Sequence, residues 1–411
     1  MQGPLHPGVS EFLGNKVRPR FAVVISHPIQ HFAPLFRELA ARNEIDLRVF
    51  YCCDWGVNSY RDPGFGQSFQ WDVPLLEGYD SEFLPIRTRP ETLSFFAVDN
   101  PAVSQRLAEF KPDAVWIHGY SHRTSWRAYL WARRCGKRIL YFGDSELLAP
   151  RGLISRALKS FVLPLFFAGV DRFLSIGDNN EAYYRHYGVP DNRFVRGAFP
   201  VDIARFREAV SGLTEVDRAG FRERAGLRPD ALVGLFVGKF ISIKRPLDAV
   251  RAVAKVRQTI PEFQLLMVGS GEMEEDVRKE ISALRLEDHV KLMGFVNQAE
   301  LPRVLWLGDM LLMCSEKDPH PLVVTECMSV GNAIIASDRV GCVGPTDAAR
   351  PNENTLTYPV GDVDALGAQI GVLAKDRDLL VRFSTRSVEL ASTQSTQVMA
   401  SAVLKALQET V

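Results

Sequence analysis

Leu232-Val233-Gly234-Leu235-Phe236-Val237-Gly238-Lys239 is an apolar run that stops at a glycine and a cation. A continuous run of this kind, rich in β-branched and aromatic side chains, reads as a strand buried on both faces, the form strands take in parallel sheets. The loop Phe240-Ile241-Ser242-Ile243-Lys244-Arg245 follows, and Pro246 suits the first turn of a helix over Leu247–Gln258. The same order then recurs downstream. Gln264–Val268, Val290–Met293, Met310–Cys314 and Ala333–Ala336 read as strands, alternating with helical patterns at Glu272–Leu284, Gln298–Leu307 and Leu322–Val330.

An equivalent series lies upstream. Phe21–Ser26, Leu47–Cys52, Ala114–His118, Arg138–Phe142 and Arg172–Ile176 read as strands. Between them fall helices at Pro34–Arg42, Ser104–Phe110, Thr124–Cys135, Ile154–Phe167 and Asn179–Tyr187. Alternation of this sort predicts α/β architecture. With 411 residues, too many for one ordinary core, the expectation is two doubly wound, Rossmann-like domains facing across a cleft. The expected divisions are 1–205, a linker at 206–230, a second domain at 231–390, and a C-terminal helix at 391–411 packing back toward the first domain. The stretch Asp54–Asn100 has little periodicity and reads as a long irregular insertion.

Composition narrows the function. Apolar residues make up 46% and charged residues 24%, as in ordinary globular proteins, and 49 Lys plus Arg balance 49 Asp plus Glu. No global field attracts nucleic acid, so no nucleic-acid partner is expected and any anion site must be local. The six cysteines lack CxxC spacing and read as reduced, mostly buried thiols. Met1–Arg20 lacks an apolar signal core, which predicts a cytoplasmic protein. The longest apolar stretch, Phe161–Val170, is broken by Pro164 and is about half of what spans a bilayer. The favoured reading is a core helix; with Arg151, Arg156 and Lys159 before it, the alternative is a segment resting on an anionic membrane surface.

Two elements carry chemistry. Lys239 and Lys244 project from a loop at a strand's carboxyl end, and no carboxylate precedes Asp248, so both are read as available to a polyanion. The plain alternative is a solvated loop. Ser315–Glu326 then joins a strand to a helix whose first turn accepts Pro321, which leaves the amides near Leu322 and Val323 open to a phosphate. Asp318 and Glu326 suit sugar and ribose hydroxyls as charged acceptors; complementing the helix dipole explains Asp318 well and Glu326 poorly. Gly269-Ser270-Gly271 is a weak phosphate signal, and Gly341–Gly344 is a candidate anion nest. In the first half His118 ends a strand, with His27, His31 and His122 at similar strand-end positions.

Together these residues resemble the retaining glycosyltransferases of GT-B fold, family 4 or group 1, from Phe21 onward and most densely over Gly238–Asp364. The resemblance puts Lys239 and Lys244 on the donor diphosphate, Asp318 on the transferred sugar with a side chain one methylene shorter than the usual glutamate, and Glu326 on the ribose. It places Gly294-Phe295-Val296 at the nucleotide base, His118 at the donor sugar, and Gly238, Phe295, Val296, His320, Pro321, Leu322 and Val323 in the donor site. Ser26-His27-Pro28-Ile29-Gln30-His31 replaces the family's glycine-rich loop, so His27, Gln30 and His31 are expected to face the acceptor. The implied co-substrate is a nucleoside-diphosphate sugar, with no cofactor and no metal, and the implied acceptor is a glycan, lipid-linked or otherwise. The alternatives are a non-catalytic nucleotide-sugar-binding module and a glycoside hydrolase using Asp318 and Glu326. Asp362 and Asp364 have Asp-x-Asp spacing but read better as a helix cap.

Overall fold

A computed structural model describes residues 18–409 apart from 63, 87, 89, 150 and 151. The first half supplies β1 (Arg20–Ile25), β2 (Asp46–Tyr51), a small hairpin β3 (Tyr60–Asp62) and β4 (Gln67–Phe69), then β5 (Asp80–Phe83), β6 (Ala114–His118), β7 (Arg138–Phe142), β8 (Arg172–Ser175) and β9 (Phe194–Arg196). Its helices are α1 (Phe32–Ala41), α2 (Val103–Phe110), α3 (Arg123–Arg134), α4 (Leu153–Ala168) and α5 (Asp178–His186). The second half supplies β10 (Leu232–Val237), β11 (Phe263–Val268), β12 (Val290–Gly294), β13 (Met310–Met313), β14 (Ala333–Ser337) and β15 (Thr355–Tyr358). Its helices are α6 (Ile203–Glu208), α7 (Glu215–Arg224), α8 (Pro246–Val256), α9 (Glu274–Ala283), α10 (Leu301–Trp306), α11 (Leu322–Ser329), α12 (Val363–Lys375), α13 (Arg377–Ala391) and α14 (Thr396–Gln408).

Two separate parallel sheets result, in the orders β5-β2-β1-β6-β7-β8-β9 and β12-β11-β10-β13-β14-β15. The fold is α/β with two Rossmann-like domains, as the alternation of runs predicts. In each sheet the order reverses beside its first strand, between β1 and β6 and between β10 and β13. Such reversals leave a crevice at the strands' carboxyl ends, where open α/β sheets take ligands. Each sheet is covered on both faces by its own apolar clusters. Among the described residues no helix is long and apolar enough to cross a membrane.

Four expectations need correction. The stretch 206–230 is not a linker: Phe206 and Leu227 lie in the second core, and Arg222 donates to the carbonyls of Leu307 and Ala231 and to Asp309. Four bonds from a buried guanidinium tie that segment to the second sheet, although its sequence is polar. The irregular insertion 54–100 contains the β3–β4 hairpin and an edge strand, β5, which extends the first sheet. Both are too short and too polar to show a strand period. Phe161–Val170 is only half a core helix, because α4 buries Leu163, Phe166 and Phe167 while Phe161 and Leu165 face outward. Arg151, grouped with it, lies outside the described residues. The turn Gly341–Gly344 is no open anion nest, since the amides of Gly341, Val343 and Gly344 already donate to the carbonyls of Asp318, Val340 and Ala349, while the Asn179 side chain on α5 donates to the carbonyls of Gly341 and Val343.

The C-terminal helix returns to the first domain. α14 buries Met399, Ala400, Val403 and Ala406 against the first sheet, and Arg42 reaches across to the Gln397 carbonyl and Ser401. The cysteines are free, and all but Cys135 are buried.

Candidate functional site

A cavity of about 250 Å³ opens at the second sheet's reversal point, lined by the end of β10 (Phe236 to Lys239), the end of β13 (Leu312 to Ser315) and the start of α11. The strands end there because Gly238 takes φ +149° and turns the chain out of the sheet. Gly269 supports it from β11: a Cβ at that position would collide with the Gly238 carbonyl oxygen, so close backbone approach alone requires the glycine there.

Lys239, Lys244, Asp318, Pro321, Leu322, Val323 and Glu326 all line this cavity. Pro321 caps α11, and among the described residues the amides of Leu322 and Val323 donate to no protein acceptor. An open helix start therefore faces the cavity. The two lysines are not equally placed. Lys244 is ion-paired with Asp318, which corrects the expectation that both cations stand free of a carboxylate. That partner comes from 74 positions along the chain, so no local spacing reveals it. Lys239 lies with its ammonium 4.9 Å from the ring centre of Phe65, a residue of the first domain.

Phe65 was not singled out by the sequence. The β3–β4 hairpin carries it across the cleft, where its carbonyl accepts from Ser270 and its ring meets Phe295 edge-on at 5.0 Å. Phe69 packs on Phe295 at 4.9 Å, and Asn297 and the Ala299 amide hold the hairpin's continuation at Gln70 and Asp72. Phe295 thus sits under an aromatic cover from the other domain. Val296 packs partly buried in the second core.

Glu326 borders a second cavity as well, a small one of about 60 Å³ lined also by Gln30, His31, Arg37, Asp202, Arg205 and Gln298. Burial pushes the Glu326 carboxyl up to about 7, with the Arg205 guanidinium pulling the other way. Arg205 itself is fixed on Gln298 by two bonds of 2.6 and 2.8 Å. Its place on α6, which spans the boundary expected at 205, hid it from sequence reading. Asp144, after β7, was also missed; burial raises its pKa, and the nearby charges of Asp318 and Glu146 add to the rise.

The histidines converge where the first sheet ends. Phe199 joins His31 and His320, 5.1 Å from each ring centre, and Phe32 lies 4.7 Å from both His31 and His118. His320 therefore faces the first domain across the crevice instead of the large cavity. Burial holds His31, His118 and His320 down to about 3 and His27 to about 4, so all are neutral imidazoles. Among the described residues, Nε2 of His118, Nε2 of His320 and both ring nitrogens of His31 are buried without a protein partner. His27 meets the Ser26 hydroxyl at 2.9 Å, and His122 ends the loop before α3 with Nδ1 unpartnered. Asp362 caps α12 through the Ala365 amide.

Residues 217–389 match the family model for glycosyl transferases group 1. This region is a group 1 glycosyl transferase domain. An alpha-D-kanosaminyltransferase of Streptomyces kanamyceticus is 30% identical over 125 residues, 30% of this chain and 32% of that protein. A putative glycosyltransferase, EpsD, of Bacillus subtilis is 25% identical over 352 residues, 79% of this chain and 86% of that protein. The chain thus spans about a third of the first relative and most of the second. HepE of Anabaena, solved in complex with UDP, superposes with a TM-score of 0.72 over 95% of this chain and 99% of its own, at 15% identity. That likeness is one of fold, GT-B, and the group 1 domain is its second half.

Proposed function

We propose that the chain is a retaining glycosyltransferase that moves a sugar from a nucleoside-diphosphate sugar to a glycan acceptor, lipid-linked or free. The observation that carries the reading is the convergence of Lys239, Lys244 and the open amides of Leu322 and Val323 on one cavity at the sheet's reversal point. Two cations beside a helix start suit a diphosphate, and a glycosidase has none to hold. The UDP in the HepE structure, and the transferase names of both relatives, support a nucleotide-sugar donor.

In this mechanism the bond between the anomeric carbon and the diphosphate oxygen breaks as negative charge grows on the leaving group. The open helix start is preorganised for that charge, Lys239 stands beside it, and Lys244 reaches it in competition with Asp318. The acceptor hydroxyl attacks from the side the diphosphate leaves, and its proton passes to the departing oxygen, so configuration is retained. His118 orients the sugar as a neutral hydrogen-bonding group. No metal is assigned a role. The small cavity with Gln30 and His31 is the acceptor side, and Glu326 lies between it and the donor.

The test is a thermal-shift panel of nucleoside diphosphates and their sugars, followed by product stereochemistry with and without a chelator. One diphosphate should stabilise the protein by about 2.7 kcal/mol at a hundred times its Kd. Absence of stabilisation by every member, inversion of configuration, or activity lost on chelation each removes the corresponding part of the reading.

A further inference from the structure

The helix α4 has two apolar faces, and only one has a partner among the described residues. Leu163, Phe166 and Phe167 are buried, whereas Leu153, Ile154, Leu158, Phe161 and Leu165 are 63% to 87% exposed. Ile154, Leu158, Phe161 and Leu165 recur at intervals of four, three and four, which at about 100° per residue keeps them within about 60° of one another, opposite the buried face. Ala157 and Ala168, both exposed, fill the outward half, which carries no polar side chain. Ser155, Arg156, Lys159 and Ser160 are confined to the other half. The helix begins at the carboxyl edge of the first sheet, on the cleft side, and Leu153 to Leu158 are all exposed. Phe96, 78% exposed, stands in the loop whose Phe95 carbonyl takes the first amide of α3, the helix packed against α4 through Tyr129 and Phe166.

We propose that α4 docks the protein on an anionic lipid bilayer. Breadth separates this occupant from a second protein chain. A helix-pairing seam is a narrow stripe, whereas an apolar half-circumference with its cations on the remaining arc suits a helix lying in the membrane interface. Charge points the same way. α3 and α4 carry Arg123, Arg127, Arg133, Arg134, Arg156 and Lys159 and no carboxylate, in a chain of balanced charge. Asp99 meets Arg123 and Arg127, and among the described residues no ion pair reaches the other four. Arg156 is exposed and has a stem long enough to bring its charge to headgroups beside the inserted face, whereas the Lys159 ammonium lies 5.6 Å from the Tyr120 ring centre. The surface stands independently of the transferase reading.

The experiment is flotation of the full chain with phosphatidylcholine vesicles, with and without about a third phosphatidylglycerol. The wild type should float only with the anionic vesicles, less so as salt rises. The double variant Ile154→Ser/Phe161→Ser should lose at least about 10-fold in partitioning, and Arg134→Gln/Arg156→Gln at least about 5-fold. Both sites are on the surface, so the variants should keep the wild-type melting temperature and nucleotide-induced shift. Failure of the wild type to bind, or binding indifferent to these changes, overturns the proposal. So does concentration-dependent self-association abolished by the serine variant, which would assign the face to a second copy.

Discussion

Lys244 lays its ammonium on the carboxylate of Asp318 inside the cavity that Glu326 closes from the other side. The pair couples anion binding to sugar recognition, because a diphosphate and Asp318 compete for one cation. Asp318→Asn removes the competitor while keeping the shape. Its affinity for the free diphosphate should rise about 5-fold, and its turnover with the sugar nucleotide should fall. Lys244→Ala should lower kcat by about 10²–10³ at saturating donor. Calorimetry and initial rates measure the two, and an unchanged diphosphate affinity in Asp318→Asn would show that the ion pair does not compete.

Phe65 offers a test of the cleft itself. Its ring lies under Lys239 and edge-on to Phe295, so the first domain covers part of the donor cavity. Excluding water protects an activated donor from hydrolysis. Phe65→Ala should raise donor hydrolysis relative to transfer several-fold at unchanged thermal stability. A product ratio equal to wild type would leave the hairpin a packing element only.

Glu326 makes stability and function pull apart. Its carboxyl is raised by burial from 4.5 to about 7, so the stabilising neutral form is fully present below pH 4.5 and lost as pH rises to 7. The unliganded protein therefore carries a deficit on the order of 3 kcal/mol above pH 7. Glu326→Gln should raise the melting temperature at pH 8, with a gain that shrinks below pH 7, while weakening donor use. A variant less stable than wild type at pH 8 would contradict this account.

The histidines act in the opposite direction. His27, His31, His118 and His320 are held far below 6.5, so the stability of their neutral forms is present above pH 6.5 and disappears as pH falls toward 3 to 4. Each removes about 1.4 kcal/mol per pH unit in that window, and four outweigh the gain from Glu326. Urea unfolding should show stability dropping from pH 6.5 to 5.5, with His118→Asn flattening the slope by about one such increment. A flat profile in the wild type would mean that these rings are hydrated.

What could be read from the sequence was what repeats or stays local. β10, Gly238 and Pro246 announce themselves through apolar run, turn and helix start, and the recurrence of that pattern yields both sheets. Lys239, Lys244, Asp318 and Glu326 fall into one cavity because each sits at a strand end or helix start, positions that a parallel sheet gathers on one edge. Contacts made across long separations were invisible. Phe65 reaches Lys239 from the other domain, Asn179 fills the turn at Gly341, and Arg205 sits where the first domain was expected to give way to a linker. The outward face of α4 was misjudged for another reason: apolar periodicity does not tell which side of a helix finds a partner.

The return of α14 to the first sheet has a consequence in time. The chain leaves the first domain near Val201 and re-enters it at Ser395, and the two crossings touch, with the Val201 amide donating to the Gln394 carbonyl. The second domain is therefore nested within the first. During synthesis the half that starts first cannot be completed until the other has emerged whole, because the Met399 and Val403 side chains that help seal its core follow the second domain in the chain. The nascent first domain waits with that surface open while its guest folds.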